Sequence, residues 1–384
     1  MREYGNGADV KRGVETYDRL VIGAGFFGLH GAHLFAGDDM RVAILDAEAA
    51  PMLRASQINQ ARVHNGYHYP RSVTTATSSA EYYARFTTEF ASCINHEFTQ
   101  IYAVAGAQSL ISANGFLRFC RWTGIPADEI DPDDYFEPGT ILAAYRTAEY
   151  SFDAPLLRHE MCERLARDRD VDWYAPARIA SVEWESDAFV LELTDGRRMR
   201  ARGVLNATYA GINQILNLFG VEPLPLKYEL CEVILVTVED SLKNTGLTLM
   251  DGPYFSCMPW GYSGYHSLTA VSYTPHLSSH DDMPHFECQA RNPDCNDSAL
   301  DNCALCPQRP GTAWPFMRGL ARRYVGDRHG IAYAQSVWSM KTVLARAEID
   351  DARPTMVEQH SAKPWLTSVL SGKIGTIYDL GEAL

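Results

Sequence analysis

No stretch of this chain approaches the ~18 to 20 consecutive apolar residues that a bilayer-spanning helix needs. Basic residues are also scarce: 34 Lys and Arg stand against 48 Asp and Glu, a formal net charge of −14. A surface of that sign repels polyphosphate backbones and anionic lipid, so neither nucleic acid nor a membrane is an expected partner. The first 16 residues lack the apolar segment of a signal peptide and read as a flexible lead-in. The expected location is therefore the cytoplasm, where the nine cysteines would be reduced thiols or metal ligands. What remains is the composition of an ordinary soluble globular protein: 384 residues, 46% hydrophobic and 21% charged, enough chain for two domains or one large composite unit.

The most informative stretch is residues 17–46. An apolar strand, Leu20-Val-Ile22, runs straight into Gly23-x-Gly25-x-x-Gly28, with Phe26 and Phe27 inside the motif. Gly23 permits the tight turn, Gly25 lets the backbone approach a pyrophosphate, and Gly28 lets a helix pack closely on the strand. That helix would offer its free N–H groups and positive dipole end to the phosphates. A second strand, Val42 to Leu45, ends at Asp46, 18 residues after Gly28, where an acid can take both ribose hydroxyls of an adenosine half. Dinucleotide binding is the expectation; a glycine-rich turn in an unrelated α/β protein is the bland alternative.

After Asp46 the chain becomes a polar, aromatic loop without regular periodicity, running through Arg54-Ala55-Ser56, Asn59, His64, Gly66, Tyr67, His68, Tyr69 and Arg71. The glycine motif, the acid-ended second strand and this Ala-Ser…Asn…His-x-Gly-x-x-Tyr segment together resemble the FAD-dependent oxidoreductases of the D-amino-acid oxidase type, which include glycine and sarcosine oxidases and L-2-hydroxyglutarate oxidases. The resemblance implies FAD as cofactor. It implies an α/β fold: a Rossmann-like FAD-binding domain of the glutathione-reductase type with a discontinuous, antiparallel-sheet substrate domain. It places Arg54, Ala55 and Ser56 by the pyrophosphate, Asn59 to Tyr69 facing the isoalloxazine, and the strand around Arg178-Ile179 on the adenine. In such proteins a strand ending Ala-Thr-Gly passes near FAD; here Ala207 and Thr208 are present, but Tyr209 stands in place of the glycine. Some relatives attach FAD through a histidine of this segment, but the offset of His64 from Gly66 does not match that arrangement.

On this basis the chain divides into the lead-in 1–16, FAD-binding parts at 17–90, 151–220 and 341–384, a substrate-side excursion at 91–150, and a substrate domain at 221–340. Helices are expected near Ser79–Phe90, Gln108–Trp122, Ala154–Asp168 and Ala313–Tyr324. Short strands are expected at Val171–Tyr174, Ile179–Trp184, Phe189–Leu193, Arg198–Ala201 and Gly203–Thr208. Antiparallel strands follow between 225 and 275, rich in aromatics and β-branched residues. In the family that sheet roofs the flavin, which makes Tyr228, Tyr254, Trp260, Tyr262, His266 and Tyr273 pocket candidates, against the alternative of plain sheet core. The end of the chain, Gly372-Lys373-Ile374-Gly375-Thr376, resembles the family's last FAD segment, and Asp351-Ala-Arg353-Pro its preceding Arg-Pro turn. A final helix, Ile374 to Ala383, would point its N-terminus at the flavin N1/C2=O edge, with Lys373 nearby, to stabilise the charge of reduced flavin.

A second cluster stands apart. Cys288, Cys295, Cys303 and Cys306 fall in the polar segment 280–310, which has too little apolar patterning to fold on burial alone. Four thiolates around one structural zinc would anchor it, the Cys-x-x-Cys pair making one corner. Two disulfides, a redox dithiol and an iron–sulfur cluster are the alternatives. The remaining Cys93, Cys120, Cys162, Cys231 and Cys257 read as buried core thiols.

The flavin would carry the chemistry, with the protein placing a substrate C–H against its N5. His64, Tyr67, His68, Arg71 and Lys341 are the side chains expected near the flavin. Arg71, Arg346 and Arg353 are candidates to hold a substrate carboxylate. The leading expectation is oxidation of a C–N bond in a small amine or amino acid by hydride transfer. Oxidation of a 2-hydroxy acid or another alcohol, flavin monooxygenation, and a non-catalytic FAD-binding subunit are the alternatives. A small molecule is the expected partner, and a homo-oligomer is left open.

Overall fold

The computed structural model describes residues 2–3, 14–38, 40–168, 171–345 and 355–384. Most of the lead-in, Arg346 and the 351–354 turn with Arg353 lie outside the described residues.

The strand Arg19–Ile22 sits at the middle of a seven-stranded sheet. On one side it pairs in parallel with Val42–Leu45, which pairs with Val171–Tyr174 and then Arg2–Glu3. On the other side come Gly203–Asn206, parallel, then Trp365–Leu370, parallel, and an antiparallel edge, Met356–Ala362. Strands 42–45, 171–174 and 203–206 are buried at every position, because helices or sheets cover both faces of a parallel sheet. The unbroken apolar run Val42–Leu45 is what makes that strand visible in the sequence, whereas Asp172 and Asn206 interrupt the other two.

The glycine motif turns the chain from Arg19–Ile22 into the helix Phe26–Gly37. Gly23 takes a positive φ of 98°, and a Cβ added at Gly28 would stand 1.8 Å from the Gly23 carbonyl oxygen. Both positions therefore require glycine. This helix packs against Ala154–Arg167, whose Leu157, Met161 and Leu165 recur every fourth residue along one buried face. Asp153 caps that second helix by accepting from the Leu156 amide at 3.0 Å.

The other large sheet has nine strands and is mixed rather than purely antiparallel, since Thr99–Ala105 runs parallel to Thr245–Met250. Its longest members are Leu226–Thr237 and Ala332–Leu344, antiparallel over most of their length. A four-stranded sheet, Ile179–Trp184, Phe189–Leu193, Arg198–Ala201 and Glu15–Tyr17, covers a third layer.

Three expected helices differ from the structure. The stretch from Gln108 becomes helical only at Ala113, because Ser112 caps there, accepting from the Gly115 amide at 3.1 Å. The helix expected from Ser79 already begins at Val73; its polar first turns face outward and bury only Ala76 and Ser79. The closing helix does not run from Ile374: residues Ile374–Ile377 form a tighter 3-10 turn and only Tyr378–Ala383 is α-helical. A two-part segment of that kind has no long aligned dipole to aim at a flavin. Among the described residues no helix is long and apolar enough to cross a membrane.

Candidate cofactor and active site

One cavity of about 1190 Å³ lies between the parallel sheet and the mixed sheet. The glycine loop forms one end of it through Gly23, Gly25, Phe26 and Phe27. Gly28 is not on its surface; it packs the helix against the Gly23 carbonyl and Ala207. Ser56 braces the loop by accepting from the Phe26 amide at 3.0 Å, and a Cβ on Gly25 would come 3.1 Å from that same Oγ. The floor at this end is thus bare backbone, the surface a diphosphate requires.

Asp46 lines the cavity, with both carboxylate oxygens engaged: one accepts from the Ala24 amide, the other from the Glu48 amide at 2.7 Å. Burial pushes this carboxyl up, and the two amides pull it back. Glu48, two residues on, also faces the cavity and pairs with Arg54 at 2.6 Å. Sequence reasoning missed Glu48; its position one pleat beyond the strand end was the available signal. Arg54, Ala55, Ser56 and Asn59 line the cavity, as do Arg178, Ile179, Ala207 and Thr208. Gly372, Lys373 and Ile374 reach it too, whereas Gly375 and Thr376 do not: Thr376 Oγ1 is tied to Ser371 at 2.6 Å and to the Lys373 carbonyl.

His64, His68, Arg71 and Lys341 also line the cavity. His64 and His68 rings stand 5.4 Å apart, and Lys373 Nζ lies 4.1 Å above the Tyr69 ring. Burial lowers the His64 pKa; Glu149, whose Oε1 stands 3.7 Å from Nδ1, pulls it up, and Arg62 and Lys373 add to the lowering. The imidazole is therefore neutral at physiological pH and able to accept a proton. Arg71 Nε holds Asp251 at 2.6 Å, and Lys341 Nζ holds Glu229 at 2.6 Å. Both pairs lie on the cavity wall.

Beneath His64 lies a network that sequence reasoning did not find. Arg62 donates to Glu149, Tyr102, Thr248 and Ser256, and Arg62, Thr248 and Ser256 themselves line the cavity. Burial alone would push the Glu149 carboxyl up, but the Arg62 charge, the nearby His64 ring and the hydrogen bond from Tyr102 hold it well below the usual carboxylate range.

Several expected site residues are elsewhere. Tyr67 is fully buried beneath its loop, donating to the Pro126 carbonyl at 2.5 Å, so it supports the cavity's neighbour loop and does not face the cavity. Tyr228 points into the far side of its sheet and donates to the Asp282 carbonyl at 3.2 Å. Tyr262 is surface-exposed and donates to the Ile94 carbonyl. His266 is buried against the Thr245 carbonyl. Of the aromatic and histidine candidates from the 225–275 sheet only Tyr254 reaches the cavity, its hydroxyl bonded to the Ala107 carbonyl. Arg353 lies outside the described residues.

The four clustered cysteines are all free thiols. Among the described residues no three His, Cys, Asp or Glu side chains stand in a ready metal-holding arrangement, so the expected zinc site is not formed as such. Burial raises the Cys288 thiol and pushes Cys303 up to about 12, neighbouring cysteines adding to each.

With bare glycine backbone at one end, the 54–59 and 372–374 segments along the sides and basic and aromatic side chains on its wall, the cavity fits FAD. Residues 18–284 match the family described as "DAO: FAD dependent oxidoreductase". The FAD-dependent monooxygenase FPY4 of Fusarium mangiferae is 24% identical over 271 residues, 68% of this chain and 66% of that protein's length. Glycine oxidase from Geobacillus kaustophilus superposes with a TM-score of 0.70 at 15% identity, over 95% of this chain and 91% of its own. L-α-glycerophosphate oxidase from Mycoplasma pneumoniae, solved with FAD bound, superposes at 0.71 and 10% identity, over 96% and 94%. At those identities the solved structures report the fold alone; the family match, which spans well over half of the 384 residues, does more. The chain belongs to the FAD-dependent oxidoreductases of the DAO family and is an enzyme that uses FAD.

Proposed function

We propose that this enzyme oxidises the C–N bond of a small amino acid or related amine carrying a carboxylate. The observation that supports the reading is the Arg71–Asp251 pair on the cavity wall beside His68. A zwitterion offers one charge of each sign, so its carboxylate can take over Arg71 and its ammonium Asp251. Arg71 is half exposed and Asp251 only 15% exposed, so the pair stands where a ligand entering from solvent meets it. FAD, when bound, supplies the two-electron acceptor. This chain's residues do the rest: Arg71 and Asp251 orient the substrate, and neutral His64 takes the ammonium proton so that the amine reacts in its free-base form. Buried Glu149 stabilises the imidazolium that results. Glycine oxidase and the L-amino acid deaminase of Proteus vulgaris, both similar in fold, act by name on amino acids.

A second reading, monooxygenation, is favoured by the name of the FPY4 relative, whose match reaches 66% of its length. Anaerobic mixing of the purified enzyme with a panel of amino acids and amines separates the two. Bleaching of the flavin band followed by release of ammonia or amine supports C–N oxidation. A flavin that bleaches only with a nicotinamide reductant and, once air is admitted, places one atom of O2 in the product replaces it with monooxygenation.

A further inference from the structure

Residues 280–310 have almost no regular backbone: a short 3-10 turn, Glu287–Arg291, and an isolated bridge between Asn296 and Ala299. Phe286 and Leu300 are buried, but little else apolar holds the segment. Yet Cys288, Cys295, Cys303 and Cys306 all line one cleft of about 20 Å³, floored by Leu230 and Met340 of the mixed sheet. Room of that size takes a single water-sized body, which suits one ion better than a multinuclear iron–sulfur cluster. None of the four sulfurs is in a disulfide. Asn292 Nδ2 donates to Cys306 Sγ at 3.3 Å, the kind of N–H bond that supports a thiolate ligand from outside. Four soft sulfur donors around a one-ion space select zinc over hard cations.

The same segment is a wall of the FAD cavity. Leu300, Asp301, Asn302 and Cys303 line it, and Cys303 faces both the cleft and the cavity. Arg54, beside the diphosphate end, donates to the Leu300 carbonyl at 3.1 Å. Gln214 donates to the Asn296 and Asp297 carbonyls at 3.2 and 3.0 Å.

We propose that Cys288, Cys295, Cys303 and Cys306 bind one zinc ion, closed to substrate, and that this ion pins the 300–303 wall against Arg54 so that the metal governs how firmly FAD is retained. Binding draws four sulfurs that already surround the cleft into tetrahedral positions, leaving none open for a water. The second half of the proposal rests on the FAD assignment of the main cavity.

The holoenzyme tests it. Elemental analysis should find about one zinc per chain, and cobalt substitution should give the thiolate-to-cobalt absorption of a four-sulfur site. Cys303→Ser and Cys306→Ser should each weaken metal affinity by at least about tenfold. Stripping zinc from the folded enzyme with a chelator should speed FAD release severalfold, followed by the rise in free-flavin fluorescence, and adding zinc back should restore the slow rate. A metal-free enzyme whose four thiols all alkylate in the native state overturns the site. One zinc per chain with an unchanged FAD release rate overturns its link to the cofactor. A purified protein with zinc and no flavin overturns the FAD assignment instead, and leaves the metal site standing.

Discussion

Arg62 and Glu149 form an ion pair at 2.6 Å with side chains only 1% and 0% exposed, 87 residues apart in sequence and directly under the His64 end of the cavity. Such a pair contributes little net stability when intact, because desolvating two charges offsets their attraction. Breaking it is another matter, since one charge is then stranded. Glu149→Gln or Arg62→Met should each cost about 3–5 kcal/mol in urea unfolding, and replacing both by apolar residues should recover most of that loss. Glu149→Gln has a second expected effect. Glu149 is the anion that raises the His64 pKa, so its loss lowers that pKa further, and the acid limb of the kcat/KM profile should move to lower pH. An unmoved limb would assign the titration to another group.

The glycine loop gives the next expectation. A methyl on Gly28 would collide with the Gly23 carbonyl at 1.8 Å, backbone against side chain with nothing flexible to yield. Gly28→Ala should therefore disturb the helix–strand packing itself and lower thermal stability. Gly25→Val should instead leave the fold intact, since its φ of −67° suits any residue, but fill the diphosphate floor and displace Ser56. Flavin content after gel filtration, read beside the melting temperature, should separate the two: an unstable variant for Gly28, a stable colourless one for Gly25.

Arg71 and Asp251 are expected to act on substrate binding. Losing a charge-assisted hydrogen bond removes about 1.5–3 kcal/mol, so Arg71→Ala should raise KM for a carboxylate substrate roughly ten- to hundredfold, with kcat changed much less. Arg71→Lys should restore only part of it, because a point charge cannot match a bidentate fork. A primary amine without a carboxylate should be indifferent to the change. If KM holds for all substrates, the carboxylate is recognised elsewhere on the wall.

What the sequence disclosed follows from how each feature is encoded. The strands Val42–Leu45 and Val171–Tyr174, and the glycine turn between Ile22 and Phe26, are local: each is written in consecutive residues. The cofactor segments at 54–59, 178–179 and 372–374 reached the page through family resemblance and do meet at one cavity. The buried network could not be read, because Arg62 opens a two-residue strand inside a stretch that reads as a polar loop, Glu149 lies between two strands, and nothing local joins them. Tyr228 was misplaced for a different reason: aromatic residues mark a strand, but Leu226–Thr237 is buried on both faces, so no alternation says which side meets the cavity. Tyr262 instead falls in the exposed turn after Phe255–Pro259, and His266 opens the fully buried strand His266–Ala270. Tyr67 and His68 are adjacent, yet the loop turns one into the core and the other toward the cavity.

His30 carries a pH expectation that is independent of catalysis. It sits inside the helix Phe26–Gly37, 7% exposed, with Nδ1 lacking a hydrogen-bond partner. Burial lowers its pKa from 6.5 to about 4, with Glu89 opposing and His33, Arg164 and Arg85 reinforcing. The folded state thus refuses a proton that the unfolded chain accepts once the pH drops below 6.5. Where the unfolded state binds more protons, stability rises with pH, so this residue's contribution is intact above pH 6.5, declines as the pH falls towards 4, and is fully lost below that. At ~1.4 kcal/mol per pH unit, the loss by pH 5 is about 2 kcal/mol. Comparing urea unfolding at pH 7.5 and 5 for the native enzyme and His30→Leu isolates it, because every other titrating group contributes to both. The native enzyme should lose about 2 kcal/mol more than the variant over that interval. Equal losses would mean that His30 titrates alike in the folded and unfolded chains, and that the acid sensitivity of this half of the molecule comes from its carboxylates.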